Sequence, residues 1–175
     1  MQKYIALLRG INISGQKIIK MADLRALLSA EGLANVETYI QSGNIIFESD
    51  ESRKTVEKLI VSTINNHYGF MVPTFILSPK ELEKAISNNP FGKVEGNKLY
   101  LTFLSDKANR NGMEAINDKV QENEYLQIIE NVMYFHCPNG AAKSKITNNL
   151  IEKKLEVTAT TRNWRTCGKL LELVK

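Results

Sequence analysis

Val36-Glu37-Thr38-Tyr39-Ile40-Gln41-Ser42-Gly43-Asn44-Ile45-Ile46-Phe47 decides the fold. Two runs of strand-forming residues, Val36 to Ile40 and Ile45 to Phe47, flank Gln41-Ser42-Gly43-Asn44. Gly and Asn tolerate the positive φ of a tight turn, so the segment reads as a β-hairpin. Upstream, Met21, Leu24, Leu27 and Leu28 recur at helical spacing, and Gly32 supplies a stop after Glu31. Downstream, Val56, Leu59, Ile60, Ile64 and Tyr68 mark a second helix. Lys3 to Arg9 carries a Tyr-Ile-Ala-Leu-Leu run suited to a strand buried on both faces. Val72 to Leu77 is a closing strand, and its Pro73 places it at an edge or a strand start. A hairpin between two helices, bracketed by two strands, is βαββαβ, the split-βαβ order of a ferredoxin-like unit.

Ser78-Pro79-Lys80-Glu81 then opens a helix, with Ser78 as cap, Pro79 in the first turn and Glu81 completing a capping box. Asn88-Asn89-Pro90-Phe91-Gly92 ends it and marks the boundary between a first half, residues 1–90, and a second, 91–175. The element order restarts there: a strand at Leu99 to Leu104, a helix from Asn109 to Val120, and paired strands Leu126 to Glu130 and Val132 to His136. Element order alone, with no residue-level repeat, suggests a duplication. The final strand of the second copy is expected to give way to two helical stretches. One carries the stripe Ile146, Leu150, Ile151 and Leu155, the other Trp164, Cys167, Leu170, Leu171 and Val174. The predicted class is α+β, two ferredoxin-like halves in tandem with extra C-terminal helices.

Composition bounds the function. The chain has 175 residues, 43% hydrophobic and 24% charged, so it is no disordered tail, collagen-like repeat or coiled coil. At this length roughly 70% of the unfolded surface can be buried without staples. Cys137 and Cys167 form no CxxC and have no His ladder beside them, so neither a disulfide framework nor a zinc site is expected. Ile5 to Leu8 is too short for a secretion signal, and no run approaches the roughly 20 apolar residues that cross a bilayer. A cytoplasmic protein with no membrane partner is the expectation. The net charge of +4 is uneven: residues 1–20 hold four basic groups and no acid, and residues 143–175 hold eight basic groups against three acids. Basic ends that met in the fold would suit a phosphate-bearing partner, although solvated helix lysines give the same imbalance.

Four donor-rich clusters lie at element ends. They are Arg9 with Asn12, with Lys17 further along the same loop; Gln41-Ser42-Gly43-Asn44; the loop Asn139 to Lys145; and Thr161-Arg162-Asn163-Trp164-Arg165-Thr166. Arginine forks and free backbone N–H groups are what anion recognition uses. Each cluster also has a plainer reading: a structural ion pair for Arg9 and Arg162, an ordinary hairpin turn for Gln41 to Asn44, and a core indole for Trp164. The loop at 139 to 145 follows a strand and is expected to open a helix, but its Lys143-Ser144 pair does not make a P-loop, because Cys137 and Ala142 stand where glycines are required. His136 and Cys137, as strand neighbours, point to opposite faces and cannot pair. No spacing supports a metal or paired-carboxylate centre, and no cofactor is expected.

Ala6-Leu7-Leu8-Arg9-Gly10-Ile11-Asn12, Met21 with Leu24-Arg25, Tyr39-Ile40-Gln41-Ser42-Gly43-Asn44, Asn89-Pro90-Phe91, Ser144-Lys145 and Thr161 to Thr166 occur in this order. Together they resemble the uncharacterised bacterial family catalogued as domain of unknown function 1697 (DUF1697), across nearly the whole chain. The resemblance implies two ferredoxin-like α+β halves and carries no activity with it. Its motifs coincide with three of the four clusters, which suggests one shared site for Arg9, Asn44 and Arg162. The chain departs from the family pattern at Ile13-Ser14-Gly15, where a second small residue is expected, and at Glu156, where a glycine is expected after a helix.

Three functions compete. The first is a binding module for a phosphate-bearing small molecule or nucleic acid. In it Arg9, Lys17, Arg162 and Arg165 supply charge, Asn12, Gln41 and Asn44 orientation, and Ser42, Asn163, Trp164 and Thr166 complete the candidate set. Tyr39 and Phe47 are the aromatics available to an RNA-binding sheet. The second is an enzyme on a small anionic metabolite, with Cys137 or Ser42 as nucleophile. The third is a structural protein whose polar motifs join the two halves.

Overall fold

The computed structural model describes residues 1–175, Arg110 by its backbone alone. The chain divides into two compact units, Met1–Glu83 with Leu170–Lys175, and Lys84–Lys169. The division falls inside two helices, α3 (Pro79–Ser87) and α6 (Trp164–Val174).

In the first unit β1 (Gln2–Leu8) is a central strand, which explains the unbroken burial from Tyr4 to Leu8. It pairs antiparallel with β3 (Asn44–Ser49) on one side and β4 (Thr74–Leu77) on the other. With β2 (Ala34–Tyr39) outside β3, the sheet order is β2-β3-β1-β4. Pro73 therefore precedes an edge strand, where its missing N–H breaks no ladder. Tyr4, Ala6, Leu8, Ile45, Phe47 and Ile76 pack with Leu24 and Leu28 of α1 (Met21–Ala30) and with Val56, Ile60 and Ile64 of α2 (Arg53–Tyr68). Truncating Leu24 or Leu28 to alanine in such a core removes about 2–5 kcal/mol. Gly32, at φ +95°, ends α1 as expected, its N–H donating to the Ser29 carbonyl at 3.1 Å. Ser52 caps α2 by accepting the Thr55 N–H, and Gly69 closes it at φ +77°.

The capping box at the start of α3 is present. Ser78 N–H donates to Glu81 Oε2 at 2.8 Å, and Glu81 N–H donates back to Ser78 Oγ at 3.3 Å.

The second unit repeats the topology. Its strands are β5 (Leu99–Leu104), β6 (Tyr125–Ile129), β7 (Val132–His136) and β8 (Ala159–Asn163), ordered β6-β7-β5-β8 and antiparallel throughout. Helices α4 (Arg110–Asn117) and α5 (Asn148–Leu155) cover one face, where Ile116, Ile151 and Leu155 meet Leu104, Met133 and Phe135. The two helices touch closely at Gly112, where a Cβ would run into the Lys154 carbonyl. β8 corrects the expectation that the second copy lacks its closing strand. Ala-Thr-Thr-Arg-Asn hides its strand character because the inward positions of one face are Thr160 and Arg162, both buried yet polar. Threonine is nonetheless a strong strand former. Both units are thus complete ferredoxin-like βαββαβ arrangements, and α6 follows the second.

A further correction concerns residues 139–145. They do not open a helix: Ala141–Lys143 is one 3₁₀ turn, and α5 begins at Asn148, capped by Thr147, which accepts the Leu150 N–H. Glu156, where a glycine was expected, is the left-handed residue ending α5, at φ +57°.

Candidate functional site

The loop between β1 and α1 is built by its own side chains. Ile11 and Ile19 are buried and pin its ends to the core. Between them Ser14 and Gly15, both at positive φ, turn the chain so that Gln16 N–H reaches the Ile13 carbonyl at 2.9 Å. Asn12, at φ +53°, holds the loop shut. Its Oδ1 accepts the Ile19 N–H at 2.8 Å, and its Nδ2 donates to the Ile19 carbonyl at 3.0 Å and the Gln41 carbonyl at 2.8 Å. Lys17 is exposed; its Nζ donates to the Met71 carbonyl at 2.7 Å and lies 5.9 Å from the Phe70 ring centre.

The β2–β3 turn is equally determined. Asn44 is fully buried, and its Nδ2 donates to the Tyr39 carbonyl and to Ser42 Oγ, both at 3.0 Å. Gly43 cannot be replaced by a larger residue: its φ is +78°, and a Cβ would stand 2.7 Å from Leu8 Cβ and 2.9 Å from Ile11 Cδ1. Ser42 and Arg9 are half-buried, and Gln41 is exposed. Arg9 follows β1, with its N–H on the Pro73 carbonyl at 2.9 Å. Phe47 is a core residue, its ring 5.6 Å from that of Tyr4, so it offers no surface to RNA.

Loop and turn meet the start of α1 at an open cleft of about 390 Å³, lined by Lys20, Met21, Ala22, Arg25, Thr38, Ile40 and Gln41. The lining includes two cations and no carboxylate. Lys20 is the residue before α1, and no side chain caps the helix there. Arg25, one turn on, is exposed and donates from Nη1 to Thr38 Oγ1 at 2.9 Å. That bond fixes the guanidinium with one of its five donors and leaves the others for a ligand. Of the sequence candidates, Gln41 lines this cleft directly, and Asn12 secures Gln41 by its backbone. Lys20 and Arg25 were not among the candidates. Their signal was a helix start with a basic residue in place of a capping one.

Arg162 to Thr166 lie in the second unit, where Arg9 to Asn44 lie in the first. Arg162 is 7% exposed on β8, and its Nη1 donates to Thr160 Oγ1 and the Thr161 carbonyl, both at 2.9 Å. Burial pushes its pKa down to about 10, so it remains charged at neutral pH. Asn163 Oδ1 accepts the Thr166 N–H at 2.8 Å and so caps α6. Thr166 is buried, Trp164 half-buried and Arg165 exposed, with the Arg165 N–H on the Gly96 carbonyl.

Cys137, the cysteine nucleophile candidate, and Cys167 are both buried in unreactive surroundings. Burial, and then donation from Sγ to Glu124 Oε1 at 3.4 Å, pushes the Cys137 thiol up to about 11. Burial pushes Cys167 to about 12. His136 turns away from Cys137 and packs beside Tyr125. Burial alone would raise Glu124, but donors from Gln121, Ser144 and Cys137 outweigh it and hold the carboxyl below its ordinary range. Among the described residues, no three His, Cys, Asp or Glu side chains come together to hold a metal ion. No helix of the described residues is long and apolar enough to cross a membrane.

No curated protein matches the chain. Among solved structures it is similar to the conserved bacterial protein SP0830 from Streptococcus pneumoniae, at 25% identity and a TM-score of 0.75, over 99% of this chain and 98% of that one. The family model described as "Protein of unknown function (DUF1697)" matches residues 1–134, most of the chain and the whole of the loop, turn and cleft described above, and the chain therefore belongs to that family.

Proposed function

We propose that the protein is a binding module for a phosphate-bearing ligand, nucleotide-like or nucleic acid, and that the cleft of the first unit receives the phosphate. The carrying observation is the lining itself, Lys20 and Arg25 beside Gln41 and Thr38 with no acid among them. A volume of about 390 Å³ lies within the range of small-molecule sites, about 300–1,000 Å³. Arg25 held by Thr38 presents a guanidinium fork, the geometry that pairs two oxygens of a phosphate at once. Asn12, Gly43 and Asn44 act at one remove. They hold the loop and turn that place Gln41 and Lys20, and so they are positioning residues. The reading requires neither a nucleophile nor a base, which agrees with two thiols held protonated by burial.

A thermal-shift panel of nucleotides, sugar phosphates, short RNA and short DNA at two salt concentrations tests this reading, since a ligand of the native state raises the melting temperature. The wild type is expected to respond to one phosphate class and the Lys20→Ala/Arg25→Ala variant to lose that response while melting unaided at the wild-type temperature. Both side chains are exposed, so their removal leaves the core intact. A steep loss of the shift with salt identifies a polyanion, because each phosphate contact releases counterions. No response from any phosphate class would overturn the proposal.

A further inference from the structure

Ile40 stands where folding alone would not put an isoleucine. Its φ is +50°, a left-handed conformation in which a β-branched side chain crowds its own backbone. The side chain is also 49% exposed, so the strain does not remove it from water. Two asparagines impose the conformation from either side. Asn44 Nδ2 donates to the Tyr39 carbonyl at 3.0 Å and Asn12 Nδ2 to the Gln41 carbonyl at 2.8 Å, so the carbonyls of both neighbours of Ile40 are held. Glycine or asparagine would occupy this position with less strain. Strained residues that their surroundings over-determine cluster at ligand sites, and Ile40 lines the cleft.

Ile40 gives the cleft its one large exposed apolar surface, since Met21 is buried and Ala22 is small. The cations lie on the other side of Thr38, whose hydroxyl holds Arg25. The carboxylates nearest in sequence face elsewhere. Asp23 stands near Tyr68, and Glu37 points to the face of β2 opposite Val36, which packs on the core, and Thr38. A ligand that takes both Arg25 and Ile40 therefore has an anionic end and an apolar face. Thr38 and Ile40 are two residues apart, so their Cα atoms lie at most about 7 Å from each other, a short span that one ribose bridges. We infer that the ligand is a mononucleotide whose phosphate meets Lys20 and Arg25 and whose base lies on Ile40. This rests on the phosphate reading of the same cleft and names the class of ligand. A flat base covers one exposed side chain, whereas an alkyl chain would stay largely in water in so open a cleft. Gln41, exposed beside Ile40, offers the amide donor and acceptor that match the edge of a base.

The test is calorimetric titration with adenosine, guanosine, cytidine and uridine 5′-monophosphates, with ribose 5-phosphate and n-hexyl phosphate alongside. The wild type is expected to bind at least one nucleotide about 10-fold or more tightly than ribose 5-phosphate, the low end of what one apolar group contributes to discrimination in a pocket. Ile40→Val should keep that preference and Ile40→Asn should abolish it. Ile40→Asn should nonetheless melt at or above the wild-type temperature, because asparagine accepts the left-handed conformation. No preference in the wild type, an equal preference for n-hexyl phosphate, or an Ile40→Asn variant that keeps the preference or melts clearly below the wild type would each overturn the inference. The two readings fail separately. Ribose 5-phosphate bound by the wild type and lost in Lys20→Ala/Arg25→Ala, with no gain from any base, removes the mononucleotide and leaves the phosphate site, whereas binding of none of these compounds removes both.

Discussion

Asn12 Nδ2 donates to the Gln41 carbonyl across 2.8 Å, joining the β1–α1 loop to the β2–β3 turn through one side chain. The same amide satisfies both the N–H and the carbonyl of Ile19, so it makes three hydrogen bonds that no hydrophobic residue could replace.

Asn12→Ala should therefore destabilise the protein by about 1–3 kcal/mol, because it leaves backbone groups near Ile19 without partners. Urea unfolding should show a lower midpoint with an unchanged slope. Asn12→Asp retains only the acceptor and should fall between the two. An Asn12→Ala midpoint equal to the wild type would show that the clasp is redundant.

Tyr68 is the opposite case. Its hydroxyl is buried with no hydrogen-bond partner among the described residues, and burial, then the nearby Asp23, pushes its pKa up. Tyr68→Phe removes an unsatisfied group while keeping a ring that packs on the core and beside Phe70. Stability should stay level or rise, by up to about 1 kcal/mol. A clear loss in thermal unfolding would mean that the hydroxyl has a partner in solution.

Acid should destabilise the protein through two glutamates. At Glu81, Arg53 and the Ser78 cap outweigh the effect of burial, as the donors around Glu124 do there, and both carboxyls titrate below the ordinary 4.5. A carboxyl with a lower pKa in the folded state binds protons more readily when unfolded. Its stabilisation is complete above pH 4.5 and is lost as pH falls through the folded value. Glu124→Gln should flatten this acid limb in a plot of stability against pH, and an unchanged limb would assign it to other carboxyls.

The thiols predict the alkaline side. Cys137 and Cys167 titrate near 11 and 12 when folded, against an ordinary 9.0. Their contribution is full below pH 9 and declines as pH rises toward the folded values, because the unfolded chain gains by ionising first. Iodoacetamide at pH 8 should label neither thiol in the native protein and both in urea. Rapid native labelling of Cys137 would revive an enzymatic reading.

The first unit was legible because its apolar residues follow strand and helix periods with little interruption. The hairpin turn at Gln41 to Asn44, the stop at Gly32 and the Ser78–Glu81 box lie where the sequence places them. β8 was not legible, since alternation is seen only when the buried face is apolar, and here that face carries Thr160 and Arg162. The candidate site was legible at Gln41 and hidden at Lys20 and Arg25. A lysine before a helix reads as surface charge until the fold brings Thr38 against Arg25 and a cleft opens between them.

Phosphate recognition by the first unit at this cleft is tested most directly by a ¹H–¹⁵N correlation spectrum titrated with pyrophosphate. Saturable shifts are expected at the amides of Met21, Ala22, Arg25, Thr38, Ile40 and Gln41, the cleft lining, and are expected to be lost in Lys20→Ala/Arg25→Ala. A spectrum that does not move, or shifts centred away from these residues and unchanged in the variant, would contradict it.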